Sequence, residues 1–144
     1  MRSPEFSEGR RAGPRASALT GWWVGKDNMN KKIYNKLIRD KIPEIIISNG
    51  GESKTRVLDD TEYLDSLLQK IVEEAEEVKQ TKGEHKELIK ELGDVQEVIA
   101  AIIKLQNLSK EEIAAIQQQR KDSRGGFDQK LFLEYVIEKG QKYE

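Results

Sequence analysis

Two acidic phrases stand close together in the chain, Glu74 and Glu77 in EEAEEV and Glu91 and Asp94 in ELGDV. Within each pair the residues are three apart, so on a helix both carboxylates project from one side and can hold a cation between them. A site of this kind is made of oxygens alone. The chain has no Cys and a single His, His85, which excludes a zinc site of thiolates or several imidazoles, a cysteine nucleophile and disulfides. His85 sits in the polar stretch TKGEHKE with no nucleophile signature nearby, which argues against a serine triad. What remains is the chemistry of hard cations, Mg²⁺ or Mn²⁺, which bind carboxylates while retaining water and substrate phosphates.

Spacing alone is weak in so acidic a chain. With 26 Asp and Glu in 144 residues, eight acid pairs stand three apart, where chance gives about four to five. A solvated acidic face and a metal site therefore both remain open, and the elements that carry the acids must decide between them.

Those elements can be placed from their punctuation. Asp59 and Asp60 offer N-caps for a helix running to about Thr81, with Gly83 as its stop. A second long helix runs from about Glu84 to Gln106, and Ser109 with Glu112 makes a capping box for a third, which ends before Gly125 and Gly126. Upstream, YNKLIRDKIPEIIISNGG reads as a helix interrupted at Pro43 and ended by Gly50 and Gly51. SKTRVL is possible extended chain, and the tail LFLEYVIEK is ambiguous between strand and helix. The fold class is all-α, a small bundle of about four to five helices built around two antiparallel acidic helices. The short connection at Gly83 makes those two neighbours, so the two acid pairs can meet.

On a helical wheel, Leu88, Leu92, Val95, Val98, Ile99, Ile102 and Leu105 define the apolar sector of the second long helix. Glu91 falls inside that sector, Asp94 at its edge and Glu97 well outside. In the preceding helix the sector comprises Leu64, Leu67, Leu68, Ile71, Ala75 and Val78. Glu74 lies at its margin and Glu77 one step further out, whereas Glu73 and Glu76 point away. Inward placement is costly: two carboxylates about 6 Å apart repel by roughly 3 kcal/mol at an effective dielectric near 20. A metal, partner cations or protonation must relieve it.

Composition agrees with a small helical domain. Charged residues make up 35% of the chain and aromatics 6%, so the core must be modest and self-association is expected to complete it. The net charge of −1 gives no reason to expect nucleic acid or an anionic membrane as partner. No apolar run approaches the roughly 20 residues of a membrane span and no signal-peptide core is visible, which makes a cytoplasmic protein the expectation. Residues 1–28 are rich in Gly, Ser, Pro and Arg, carry five basic residues against three acids, and include Ser3-Pro4-Glu5-Phe6, similar to a cloning scar. They read as a vector-derived or disordered leader, with Met29 as the native start of a single domain spanning 29–144.

EEAEEV followed by ELGDV, with YNKLIRDKIPEII near the start and RGGFDQKLFL near the end, resembles the MazG-like all-α nucleoside triphosphate pyrophosphohydrolases. These are related to the phosphoribosyl-ATP pyrophosphohydrolases, and the phrases are similar to those of small stand-alone house-cleaning members. The resemblance spans nearly all of residues 33–133. It implies hydrolysis of a nucleoside triphosphate to the monophosphate and pyrophosphate, with Glu74, Glu77, Glu91 and Asp94 as Mg²⁺ ligands. An acid not fully engaged by metal would take the proton of the attacking water, and Glu77, furthest from the apolar sector, is the choice. A triphosphate also needs cations, for which Lys36, Arg39, Lys41, Lys121 and Arg124 are candidates. Arg39 and Arg124 suit phosphate best because guanidinium contacts it bidentately, although Arg39 suits an ion pair with an acid equally well. Two other readings stand beside this one: phosphoribosyl-ATP hydrolysis by the same chemistry, and a noncatalytic helical protein whose acidic face binds a basic partner.

Overall fold

The computed structural model describes residues 30–140. The expected leader and the start at Met29 lie outside the described residues. The chain divides into two units, residues 1–36 and 37–144. In the first, the described stretch is irregular, with positive φ at Asn30 and Asn35, and the Lys32 and Lys36 ammonium groups lie 5.0 and 5.9 Å from the centre of the Tyr34 ring.

In the second unit four helices follow one another, α1 (Ile42–Ser48), α2 (Asp60–Gln80), α3 (His85–Leu105) and α4 (Lys110–Arg124), and no strand occurs among the described residues. The fold is therefore all-α, as expected. Each boundary has a local cause. Pro43 stands in the first turn of α1, where its missing N–H leaves no bond unmade, and the residues before Ile42 are not helical. Asp59 caps α2, its Oδ1 accepting from the Glu62 backbone N–H at 2.8 Å. Glu84 and Ser109 cap α3 and α4 in the same way, accepting from Glu87 and Glu112 backbone N–H groups at 2.9 and 3.1 Å. The Ser109 hydroxyl also donates to the Glu111 carboxylate rather than completing a box with Glu112. Arg56 reaches Glu62 with two bonds of 3.0 and 2.6 Å, tying the irregular segment before α2 to its first turn.

The turn between α2 and α3 is made by Lys82 and Gly83, both with positive φ, at 52° and 85°. Glycine takes that region without steric cost, and the reversal folds α3 back along α2. The seam between these two helices is the core. Leu67 and Val98 are its buried apolar members, with Leu64, Ile71, Val78, Leu88, Val95, Ile102 and Leu105 half-buried around them.

Four residues assigned to the core by the wheel are exposed instead: Leu68, Ala75, Leu92 and Ile99. The reason is geometric. Successive helical residues turn by about 100°, so a single seam covers only part of a wide apolar sector. In an antiparallel pair, the flanks lying clockwise from the seam, each seen from its own N-terminus, fall on one side of the hairpin. Leu68, Val72 and Ala75 of α2 share that side with Leu92 and Ile99 of α3. Lys70, Glu74 and Glu77 of α2 take the opposite side with Glu87, Lys90 and Asp94 of α3.

After α4 the tail is neither strand nor helix. Phe127, Leu131, Phe132, Leu133, Tyr135 and Ile137 are exposed on irregular backbone, and SKTRVL likewise forms no strand.

Candidate metal centre

The acids of α2 and α3 meet on one flank of the hairpin. Glu74, Glu91 and Asp94 each bring one carboxylate oxygen to within 4.8 Å of the others. Glu91 is the buried member, with its residue only 8% exposed. Glu74 is nearly as covered and Asp94 is about one-third exposed. Three carboxylates so close, one of them removed from water, require positive charge nearby.

Part of that charge comes from the chain. Each acid has its own cation, drawn from three different places. Lys70, one turn earlier on α2, lies 3.1 Å from Glu74 and 2.7 Å from Glu73. Lys90 lies 3.2 Å from Glu91. Arg39, in the segment leading into α1, donates from Nη2 to Asp94 Oδ1 at 2.7 Å. Partial burial acts on the Lys70 ammonium most strongly and lowers its pKa, but the bonds and charges of Glu73 and Glu74 together outweigh it and hold the group above the ordinary lysine value. The bond to Glu91 raises Lys90 in the same direction, with Glu87 adding to it.

Glu77 stands outside the trio. One turn beyond Glu74 it is exposed, and with Gln80, Thr81, Glu87 and Glu91 it lines an open, shallow hollow beside the cluster. The acids foreseen as one site of four are thus three that converge and a fourth at the rim. No protein-family model, curated protein or solved structure matches the chain.

Of the cations foreseen for phosphate, Arg39 is the one bonded to the trio, and in this state it serves as an ion-pair partner of Asp94. Lys41 is exposed at the start of α1 and makes no capping bond from its side chain. Lys121 and Arg124 lie exposed in the last turn of α4, where Gly125 ends the helix with φ of 86°. No hydrogen bond or ion pair joins Lys41 or Arg124 to the trio. Lys36 belongs to the other unit, beside Tyr34.

Sequence reasoning missed Lys70 and Lys90. The signal for Lys70 was present, since it precedes Glu73 and Glu74 by three and four residues, the spacing at which helical side chains meet. Lys90 adjoins Glu91 in the chain, and it too stands at helical spacing from acids, three residues after Glu87 and four before Asp94.

Proposed function

We propose that this chain is a metal-dependent nucleoside triphosphate pyrophosphohydrolase that cleaves the α–β phosphoanhydride, of the MazG-like kind its sequence resembles. The observation that carries the reading is the convergence of Glu74, Glu91 and Asp94, whose carboxylate oxygens lie within 4.8 Å of one another at a partly buried seam. The donor set is all oxygen and anionic, which fits Mg²⁺ or Mn²⁺ and suits softer metals poorly. These three residues would hold the ion. Bound there, it would supply charge neutralisation for a triphosphate and a more acidic water.

The chain's own groups account for the rest. Hydrolysis adds water to the α-phosphorus, breaks its bond to the α–β bridging oxygen, and releases pyrophosphate with a monophosphate. A carboxylate oxygen of Glu77, exposed beside the trio and outside it, receives the proton of the attacking water. Arg39 is placed to exchange Asp94 for a phosphate oxygen, since its guanidinium is more than half exposed and its fork fits either anion. Lys41 and Arg124 are further phosphate contacts under the same reading.

The experiment is pyrophosphate release from canonical and modified nucleoside triphosphates and phosphoribosyl-ATP, with Mg²⁺ or Mn²⁺, comparing the parent with Glu91→Gln. Release that Glu91→Gln abolishes is the expected result. Silence on every substrate with both metals overturns the proposal, and activity confined to phosphoribosyl-ATP moves it to that substrate.

A further inference from the structure

The three cations at the acidic trio are not equivalent. Lys70 and Lys90 sit on the same helices as the acids they meet, so exchanging either for another cation moves a side chain and nothing more. Arg39 stands 55 positions from Asp94 in the sequence, in the segment that leads into α1, and its bond of 2.7 Å to Asp94 Oδ1 ties that segment to α3. Both ends of the pair are accessible, the guanidinium more than half exposed and Asp94 about one-third.

Packing adds little to that tie. From Leu37 to Asn49 no residue is fully buried; Leu37, Ile38, Ile42, Pro43 and Ile46 are half-buried, and Ile45 and Ile47 are exposed. α1 has seven residues and no side-chain cap at its N-terminus. A helix so short does not hold itself together in water, so its amides stay protected only while it is seated on the rest of its unit. An exposed ion pair shifts such an equilibrium by up to about five-fold, an appreciable share of what keeps so lightly packed a segment in place.

Asp94 is also one of the three acids that would hold a divalent ion. A doubly charged ion drawing on its carboxylate weakens the hold on Arg39 and repels the guanidinium at close range. We infer that Arg39 is a latch released by the metal centre. Bonded to Asp94, it keeps residues 37–49 on the hairpin and competes with the ion for that acid; a divalent ion at the trio frees the segment, together with Arg39 and Lys41. The inference rests on the reading of the trio as a metal centre and gives that centre a moving part. Linkage makes the coupling reciprocal, so the factor by which the ion loosens the segment equals the factor by which the latch weakens binding of the ion.

Amide hydrogen exchange of the full chain, followed by mass spectrometry with EDTA and with Mn²⁺, reads both parts at once. In the parent, Mn²⁺ is expected to slow exchange in α2 and α3 around Glu74, Glu91 and Asp94 and to speed it about two- to five-fold in α1. Arg39→Ala should show the faster α1 exchange already in EDTA, with no further change in α1 on adding Mn²⁺. Glu91→Gln removes a ligand and leaves the Arg39–Asp94 pair intact, so α1 should exchange slowly in both conditions. Slowed exchange in α2 and α3 with α1 unchanged or slowed overturns the latch and leaves the metal centre standing. Arg39→Ala with α1 exchanging at the parent's rate in EDTA overturns the latch independently of any ion. If Mn²⁺ alters neither the hairpin nor α1, the metal centre falls and the latch with it.

Discussion

Replacing Glu91 by Gln is expected to separate the stability of the hairpin from its capacity to bind a cation. The three carboxylates lie within 4.8 Å of one another, so each pair repels by about 3.5 kcal/mol at an effective dielectric of 20. Glu91→Gln removes two of the three pairs, roughly 7 kcal/mol of gross repulsion on that scale. Most of this is already offset by water at Asp94 and by the nearby Lys70 and Arg39, and the substitution also discards the bond from Lys90. The net effect without metal is a gain of about 1 kcal/mol or no change. With metal the order reverses. A site binding Mg²⁺ at roughly 0.1 mM stabilises the parent by about 2.7 kcal/mol at about 10 mM ion, a rise in Tm on the order of 10 °C for a domain of this size. The variant, left with two carboxylates, is expected to show under a third of that rise. Differential scanning fluorimetry of both proteins, with EDTA and with Mg²⁺ or Mn²⁺ at fixed ionic strength, makes the comparison. A parent whose Tm ignores both ions, or a Glu91→Gln protein that retains the full rise, refutes the assignment of the trio as a metal centre.

Arg39→Ala frees Asp94 Oδ1 and is expected to tighten Mn²⁺ binding a few-fold by titration calorimetry, while costing about 0.5 kcal/mol of stability as an exposed pair. Weaker Mn²⁺ binding would mean that Arg39 positions Asp94 rather than competing for it. Asp59→Ala removes the cap of α2 and should cost about 1 kcal/mol, a fall in Tm of roughly 4–6 °C, whereas Asp59→Asn costs far less. Equal losses from the two would point away from capping. Lys70 has its folded pKa raised, so the stability it contributes is fully present below the unfolded lysine value of about 10.4 and is lost as pH rises through the higher folded value. As pH rises above the unfolded lysine value of about 10.4 the parent should therefore lose stability faster than Lys70→Met in urea melts, and parallel pH curves would remove Lys70 from the account.

Helix positions were legible in the sequence because their causes are local. Asp59, Glu84, Ser109, Gly83 and Gly125 act within a few residues of where they stand, and each marks the boundary the structure shows. The inward turn of Glu74, Glu91 and Asp94 was legible for a related reason, since the wheel needs only the period. The extent of the buried arc was not. A wheel gives the direction of an apolar sector but not how many partners cover it, so Leu68, Leu92 and Ile99 were assigned to a core that the single chain does not close. Glu77 shows the limit of spacing, because at the margin of a sector one turn decides whether a carboxylate joins its neighbours or faces water. The tail from Phe127 to Ile137 combines an ambiguous period with exposed apolar side chains, and nothing within those residues alone selects a conformation.

The tight reversal at Lys82 and Gly83 also bears on how the chain folds. Glu74, Glu91 and Asp94 all lie within the two helices that this turn joins, so the acids meet as soon as one helical hairpin closes. Closing a loop this short costs little chain entropy, and structures dominated by such near-neighbour contacts fold in microseconds to milliseconds. Carboxylates brought together this early repel one another before the rest of the chain has settled. A cation present during folding would therefore be expected to speed closure of the hairpin as well as to stabilise its product, and Gly83→Val, strained at a φ of 85°, should slow it.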